Sequence, residues 1–157
     1  MVSFATCNGR VHHYDYRVGT GERTIVFANS LGTDLRIWDG VLRQLPKGFS
    51  TLAYDMSGHG LSDSGAKTVA DFASDLAVLL DTLEINDCLL CGVSFGGMIA
   101  QSLAHQRPDL VAGLVLGNTG FRIGDAAGWA ARIAALDDIG LAAMADDILQ
   151  RWFSPEF

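Results

Sequence analysis

A chain of 157 residues has single-domain length and can enclose a sizeable core. Hydrophobic residues make up 49% and charged residues 18%, a globular rather than a disordered composition. A net charge of −7 with no concentrated basic face excludes nucleic acid as a natural partner, and no stretch reaches the roughly 20 apolar residues of a membrane span.

The N-terminal residues lack the basic-then-apolar pattern of a secretory leader. Three cysteines, an odd number, do not predict a disulfide framework, and a cytoplasmic location fits them best. Cys88 and Cys91 form a C-x-x-C, but within an apolar run. On a strand, residues three apart face opposite ways, so neither a metal nor a redox pair is expected there.

In chain order, Val2–Cys7 and Val11–Val18 flank Asn8-Gly9, a strong hairpin signal. Thr24–Ala28 (TIVFA) predicts a strand buried on both faces. After Asn29-Ser30-Leu31-Gly32, the apolar residues Leu35, Trp38, Val41, Leu42 and Leu45 recur at helical spacing up to Pro46. Phe49–Tyr54 predicts a strand, followed by the Gly-rich loop Asp55-Met56-Ser57-Gly58-His59-Gly60. Thr68 to Leu83 predicts a helix with Phe72, Leu76, Leu79, Leu80 and Leu83 on one stripe.

Cys88–Val93 (strand), Phe95–Gln106 (helix ending before Pro108) and Leu110–Leu116 (strand covered on both faces) continue the alternation. Such alternation predicts an α/β fold, a mostly parallel sheet with helices on both faces behind an N-terminal hairpin. It fails from Phe121 on. Ala126, Trp129, Ala130, Ile133 and Leu136 mark one helical stripe, and Leu141, Met144, Ala145, Ile148 and Trp152 another. Residues 1–120 therefore read as the N-terminal part of a core and 121–157 as the beginning of a helical lid.

Gly92-Val93-Ser94-Phe95-Gly96 matches G-x-S-x-G between a buried strand and a helix, the context of a serine nucleophile on a sharp turn. Ser94 is the candidate nucleophile. Gly92 and Gly96 would relieve collisions across the turn, and Gly97 would let the helix approach the sheet. The alternative is a glycine-rich turn with an incidental serine. The loop at Leu31 follows a parallel strand and can bring a second backbone N–H to the same point. Leu31 and Phe95 are thus candidate oxyanion donors; an ordinary strand-to-helix loop is the alternative.

The runs CGVSFGGMIAQ, DMSGHGLSD and RPDLVAGLVLGNTG resemble the α/β-hydrolase fold family. More narrowly, ANSLGTDLRIWD and the tail WAARI to ILQRWFSPEF resemble the 3-oxoadipate enol-lactonases, over the N-terminal part of such an enzyme only. Ser57 departs from the family's D-x-R-G-x-G loop, where arginine is usual. The resemblance implies a cytoplasmic hydrolase that opens a small carboxylated lactone in aromatic-compound degradation. Ser30, Trp129, Arg132 and Arg122 are candidate substrate contacts, the arginines for its carboxylate; a solvated surface role is the alternative for both arginines.

A serine needs a base, and a base needs an acid to orient it. His12 and His13 alternate on a strand, and a surface role is expected for both. His105 lies at the far end of its helix, roughly 15 Å from Ser94 along the axis. His59, whose loop sits at the C-terminal edge of the sheet, is the one local candidate base, but its Gly-His-Gly setting reads better as the anchor of a tight loop. The fold's order is Ser, then Asp or Glu, then His, so both partners are expected beyond residue 157, a separate chain being one possible source. No metal or organic cofactor is implied. The other functional readings are a carboxylesterase or carbon–carbon bond hydrolase on the same scaffold, or a non-catalytic fragment binding a complementary chain.

Overall fold

Asn8 and Gly9 both adopt left-handed backbone (φ 51° and 78°), which a two-residue hairpin turn requires. They join β1 (Ser3–Cys7) to β2 (Arg10–Arg17). The computed structural model describes residues 3–156, so Val2, assigned to the first strand from sequence, lies outside the described residues. They divide into two units, one up to Arg122 and one from Ile123 on.

The first unit is a six-stranded sheet in the order β1-β2-β4-β3-β5-β6, with β3 (Thr24–Ala28), β4 (Ser50–Tyr54), β5 (Cys88–Val93) and β6 (Val111–Gly117). The β1–β2 and β2–β4 pairings are antiparallel, and the remaining three are parallel. Alternation along the central strands divides the core into two layers. Val26, Leu52 and Leu90 face the larger layer, with Leu76 and Leu80 of α2 (Val69–Thr82) and Ile99 and Leu103 of α3 (Phe95–Gln106). Phe27, Ala53 and Cys91 face the smaller one, around Trp38, Leu42 and Leu45. Cys88 and Cys91 accordingly fall on opposite faces, and all three cysteines are free.

The helix expected after Asn29 forms in two pieces, a 3₁₀ turn (Leu35–Trp38) and the six-residue α1 (Asp39–Gln44). Asp34 caps the turn by accepting from the Arg36 N–H at 2.9 Å, and Gly40 weakens the short helix behind it. Thr68 and Asp71 form a reciprocal capping box on α2.

β6 pairs only with β5 among the described residues, and Leu114, Val115 and Leu116 are 38%, 58% and 44% exposed, so within these residues the apolar strand is an open hydrophobic edge.

The second unit holds α4 (Ala126–Trp152), broken at Gly140, whose φ of 78° and ψ of 161° no helix allows. The two stripes read from sequence are these two helical segments. Asp125 caps the first through the Gly128 N–H at 2.7 Å. A cleft of about 450 Å³ between the segments is lined by Trp129, Arg132, Met144, Ile148 and Arg151 among others. Among the described residues no helix is long and apolar enough to cross a membrane.

Candidate active site

Adjacent parallel strands β3 and β5 are followed by helical segments on opposite faces of the sheet: α1 covers the smaller layer and α3 the larger. Such a switch point leaves a crevice outside the carboxyl ends of the strands, where α/β sheets bind ligands. The Asn29–Thr33 loop and the Ser94 turn both lie there.

Ser94 has φ 53° and ψ −119°, a region that non-glycine residues rarely adopt and that costs about 1–3 kcal/mol. Neighbouring groups hold it in place. The Ser94 N–H donates to Gly117 O at 3.0 Å, and Thr119 Oγ1 donates to Ser94 O at 2.6 Å. Both flanking glycines are sterically required. A Cβ on Gly92 would lie 2.5 Å from Gly96 O, and one on Gly96 only 2.1 Å from Ala28 O. The third glycine acts differently from expectation: a Cβ on Gly97 would strike Thr119, 2.5 Å away, so Gly97 makes room for the segment after β6 rather than for the sheet.

The contact at Gly96 also brings the end of β3 against the start of α3, and so sets Leu31 and Phe95 on neighbouring segments. Phe95 is the first residue of α3, so its N–H has no acceptor within the helix. Its ring stacks edge-on against Phe72, with centroids 5.1 Å apart, which fixes the backbone behind it. Leu31 packs its side chain on the larger core layer. Ser30 to Thr33 form a turn closed by Thr33 N–H to Ser30 O at 3.3 Å, with Gly32 at φ 76°, the geometry of a type II turn. The Ser30 carbonyl also accepts from Thr33 Oγ1 at 2.7 Å, and Asn29 Nδ2 donates to Thr33 O at 2.6 Å. The Leu31 N–H meets no protein acceptor among the described residues.

The histidines correct one expectation and meet another. His12 and His13 are not surface residues. Their strand is paired on both sides, which buries His12 to 1% exposure and leaves His13 15% exposed. His12 Nδ1 meets Asp55 O at 3.2 Å, while His13 Nδ1 meets the buried Asp55 carboxylate at 2.8 Å. His59 anchors a loop, as expected, with Nδ1 3.1 Å from Ser57 O and Nε2 accepting from the Gly32 N–H at 3.0 Å. Both of its nitrogens are occupied, so it has no lone pair to offer Ser94. His105 lies in the last turn of α3.

Asp55, Thr119 and Asn29 lie inside the family-like runs, but nothing in the sequence alone gives their side chains a structural role. Asp55 collects His13 Nδ1 and the N–H groups of Leu35 (2.8 Å) and Leu61 (2.9 Å). The readable trace of it was Gly60, where a Cβ would lie 1.9 Å from Asp55 Oδ2. Ser57 fills the usual arginine position by closing its own loop: its hydroxyl donates to Asp63 O at 3.0 Å and accepts from Ala66 N–H at 3.2 Å.

Of the candidate substrate contacts, Ser30 and Arg122 belong to the first unit, and Arg122 is exposed. Trp129 and Arg132 belong to the second. There the Trp129 indole N–H donates to Ile123 O at 2.8 Å, and the Arg132 guanidinium sits 5.5 Å above the Trp129 ring.

Comparison with known proteins agrees with this architecture. The family model described as alpha/beta hydrolase fold matches residues 23–147. The chain is 34% identical over 135 residues to 3-oxoadipate enol-lactonase 2 of Acinetobacter baylyi, covering 85% of this chain and 51% of that protein. It superposes on the crystal structure of an enol-lactonase from Burkholderia xenovorans LB400 with a TM-score of 0.92 at 35% identity, covering 98% of this chain and 61% of that one. A hydrolase from Pseudomonas aeruginosa PA01 gives 0.91 at 35% identity, covering 99% and 60%. The chain thus spans about half the length of the curated relatives it matches.

Proposed function

The chain belongs to the α/β-hydrolase fold family, and from that premise we propose that Ser94 is the nucleophile of a serine hydrolase that opens a small carboxylated lactone, 3-oxoadipate enol-lactone being the substrate favoured by the likeness to enol-lactonases. The observation that carries this is the strained Ser94 backbone at the N-terminus of α3, braced on both sides and made possible by two glycines with no room for a Cβ.

In this reading the Ser94 hydroxyl loses its proton to a histidine and attacks the lactone carbonyl. The tetrahedral oxyanion accepts hydrogen bonds from the Phe95 and Leu31 N–H groups and is further favoured by the positive end of α3. Collapse expels the ring oxygen as the enol, which takes the proton from the histidine, and water then hydrolyses the acyl-enzyme by the same base.

The histidine and its acid come from polypeptide beyond residue 157. None of the four histidines of this chain supports the role, and the open β6 edge is a surface on which such polypeptide can add a strand. A carboxylated substrate calls for a cation, and Arg122→Gln and Arg132→Gln compared by KM decide between the two candidates. Three free cysteines fit a reducing cytoplasm.

The test is turnover of enol-lactone and of an aryl ester by this chain together with the segment bearing the base. Loss of both activities in Ser94→Ala supports the reading, and preference for the lactone supports the substrate. Unchanged turnover in Ser94→Ala refutes it.

A further inference from the structure

Ser94 sits between two peptides, and both are tied to one short segment at the end of β6. The peptide before it donates the Ser94 N–H to Gly117 O at 3.0 Å. The peptide after it presents the Ser94 carbonyl, which accepts from Thr119 Oγ1 at 2.6 Å. That second peptide is the one whose N–H belongs to Phe95. A trans peptide sets its C=O and N–H on opposite sides, so whatever fixes the Ser94 oxygen also aims the Phe95 N–H.

Two amides of α3 share the same oxygen, Gly97 N–H at 3.0 Å and Met98 N–H at 3.4 Å. They tie the carbonyl to the helix and travel with it. The Met98 bond, the regular i+4 contact of the first turn, is the longest of the three, and the hydroxyl bond is the shortest. Among the described residues, only Thr119 reaches this oxygen from outside α3. Together the bonds to Gly117 and Thr119 bracket the two torsions of Ser94, φ 53° and ψ −119°, a strained pair that relaxes unless the surroundings oppose it.

Packing keeps the Thr119 side chain in place. A Cβ on Gly97 would lie 2.5 Å from its methyl carbon and 2.7 Å from its hydroxyl oxygen, so the side chain rests directly on the first turn of α3. Gln101 straps the segment behind it, donating from Nε2 to Gly97 O at 3.0 Å and to Gly120 O at 3.2 Å.

We propose that Thr119 is a positioning residue: its hydroxyl fixes the Ser94–Phe95 peptide from outside the helix and so holds the Phe95 N–H where the oxyanion forms. The bond also polarises that peptide, which strengthens its N–H as a donor. This rests on the reading of Ser94 as nucleophile and Phe95 as donor. Without the hydroxyl, the strained turn relaxes by rotating the peptide. Transition-state stabilisation weakens, and no group that binds the ground state is lost.

The first test uses the unmutated chain. Three-bond couplings to the Thr119 methyl should report one fixed χ1 rotamer, and averaging over rotamers overturns the proposal even if no variant folds. The second compares two variants in enol-lactone turnover with the base-bearing segment, per folded molecule as read by circular dichroism. Thr119→Val keeps the shape and loses the donor. It should lower kcat about 10-fold with KM within about 2-fold, short of the roughly 10²–10³ seen when an oxyanion donor is deleted outright. Thr119→Ser keeps the donor and loses the methyl, and its kcat should stay within about 3-fold of native. A purely structural role gives the opposite order, because valine fills the contact on Gly97 and serine does not.

Native kcat in Thr119→Val, a greater loss in Thr119→Ser than in Thr119→Val, or an effect confined to KM each overturns the proposal. A Ser94→Ala variant with full activity instead removes the nucleophile on which the proposal stands, whatever the Thr119 couplings show.

Discussion

Gly96→Ala is the sharpest probe of the serine turn. The added Cβ would lie 2.1 Å from Ala28 O, 2.5 Å from the Ala28 carbonyl carbon and 2.6 Å from Asn29 O. A relaxed carbon–oxygen contact is about 3.3–3.6 Å, so the start of α3 and the end of β3 must separate by roughly 1 Å. All three obstructing atoms are backbone, and none can swing aside as a side-chain tip does. Overpacking of this kind costs about 1–3 kcal/mol, and the upper end is expected here. With a urea m-value of about 2 kcal/mol/M, the unfolding midpoint should fall by about 1–1.5 M. Gly40→Ala is the matched control: nothing lies within 4 Å of its Cβ and it sits inside α1, so it should gain about 0.5–1 kcal/mol. A Gly96→Ala midpoint within about 0.3 M of the parent would refute the packing argument made for the turn.

Other expectations rest on the same structure. Ser94→Gly relieves the strained backbone and Ser94→Ala does not, so the glycine variant should be more stable in urea by about 0.5–2 kcal/mol, after allowing for glycine's entropy; equal midpoints would mean the conformation is not strained. The buried Asp75 carboxylate accepts from Arg10 Nε at 3.0 Å and Arg10 Nη2 at 2.5 Å, and from Asn8 Nδ2 at 3.0 Å. Arg10→Met strands that carboxylate and should cost about 2–3 kcal/mol, below the ~3–5 kcal/mol of a fully buried pair because Arg10 is 22% exposed; a loss under 0.5 kcal/mol, read in the same denaturant series, would contradict the role given to this pair. Burial pushes the Cys7 and Cys88 thiols up to about 11, with the Asp75 charge adding to the shift at Cys7. The folded state keeps these protons where the unfolded state has lost them, so stability is intact below about pH 9 and should decline as pH rises from about 9 to 11. In the folded protein both thiols should also resist alkylation at pH 8 until denaturant is added. Rapid labelling of either in native buffer would refute the burial argument.

The legible parts of the fold were those where one local rule dominates. Cys88–Val93 and Phe95–Gln106 read correctly to the residue, because an apolar run, a glycine pair and a following proline leave no competing reading. The hairpin was legible for the same reason, since Asn8-Gly9 favours one turn type. The segment from Leu35 to Leu45 was not, because its stripe says nothing of Asp34, whose cap starts a 3₁₀ turn first.

Burial of His12 and His13 was hidden for a different reason. Two polar residues in a row look solvated unless one knows that β2 lies between β1 and β4 and that Asp75 and Asp55 wait on its two faces. The Ser94 turn was visible because its backbone has no room for a Cβ at Gly92 and Gly96, both close by in sequence. The support for the Leu31 turn was not, because it arrives through Gly32 from a residue 27 positions on.

The fit of Asp55 against Gly60 restricts how this loop can change by descent. A methyl group at 60 would occupy the space of the Asp55 carboxylate, which also serves His13, Leu35 and Leu61. Position 60 is therefore closed to larger residues for as long as 55 is an aspartate. Opening it first requires giving up an anchor that ties this loop to two distant segments, at His13 and Leu35. The two sites form an epistatic pair in which neither single step is neutral, so lineages that alter one should alter the other, and substitutions measured singly will misjudge the double change.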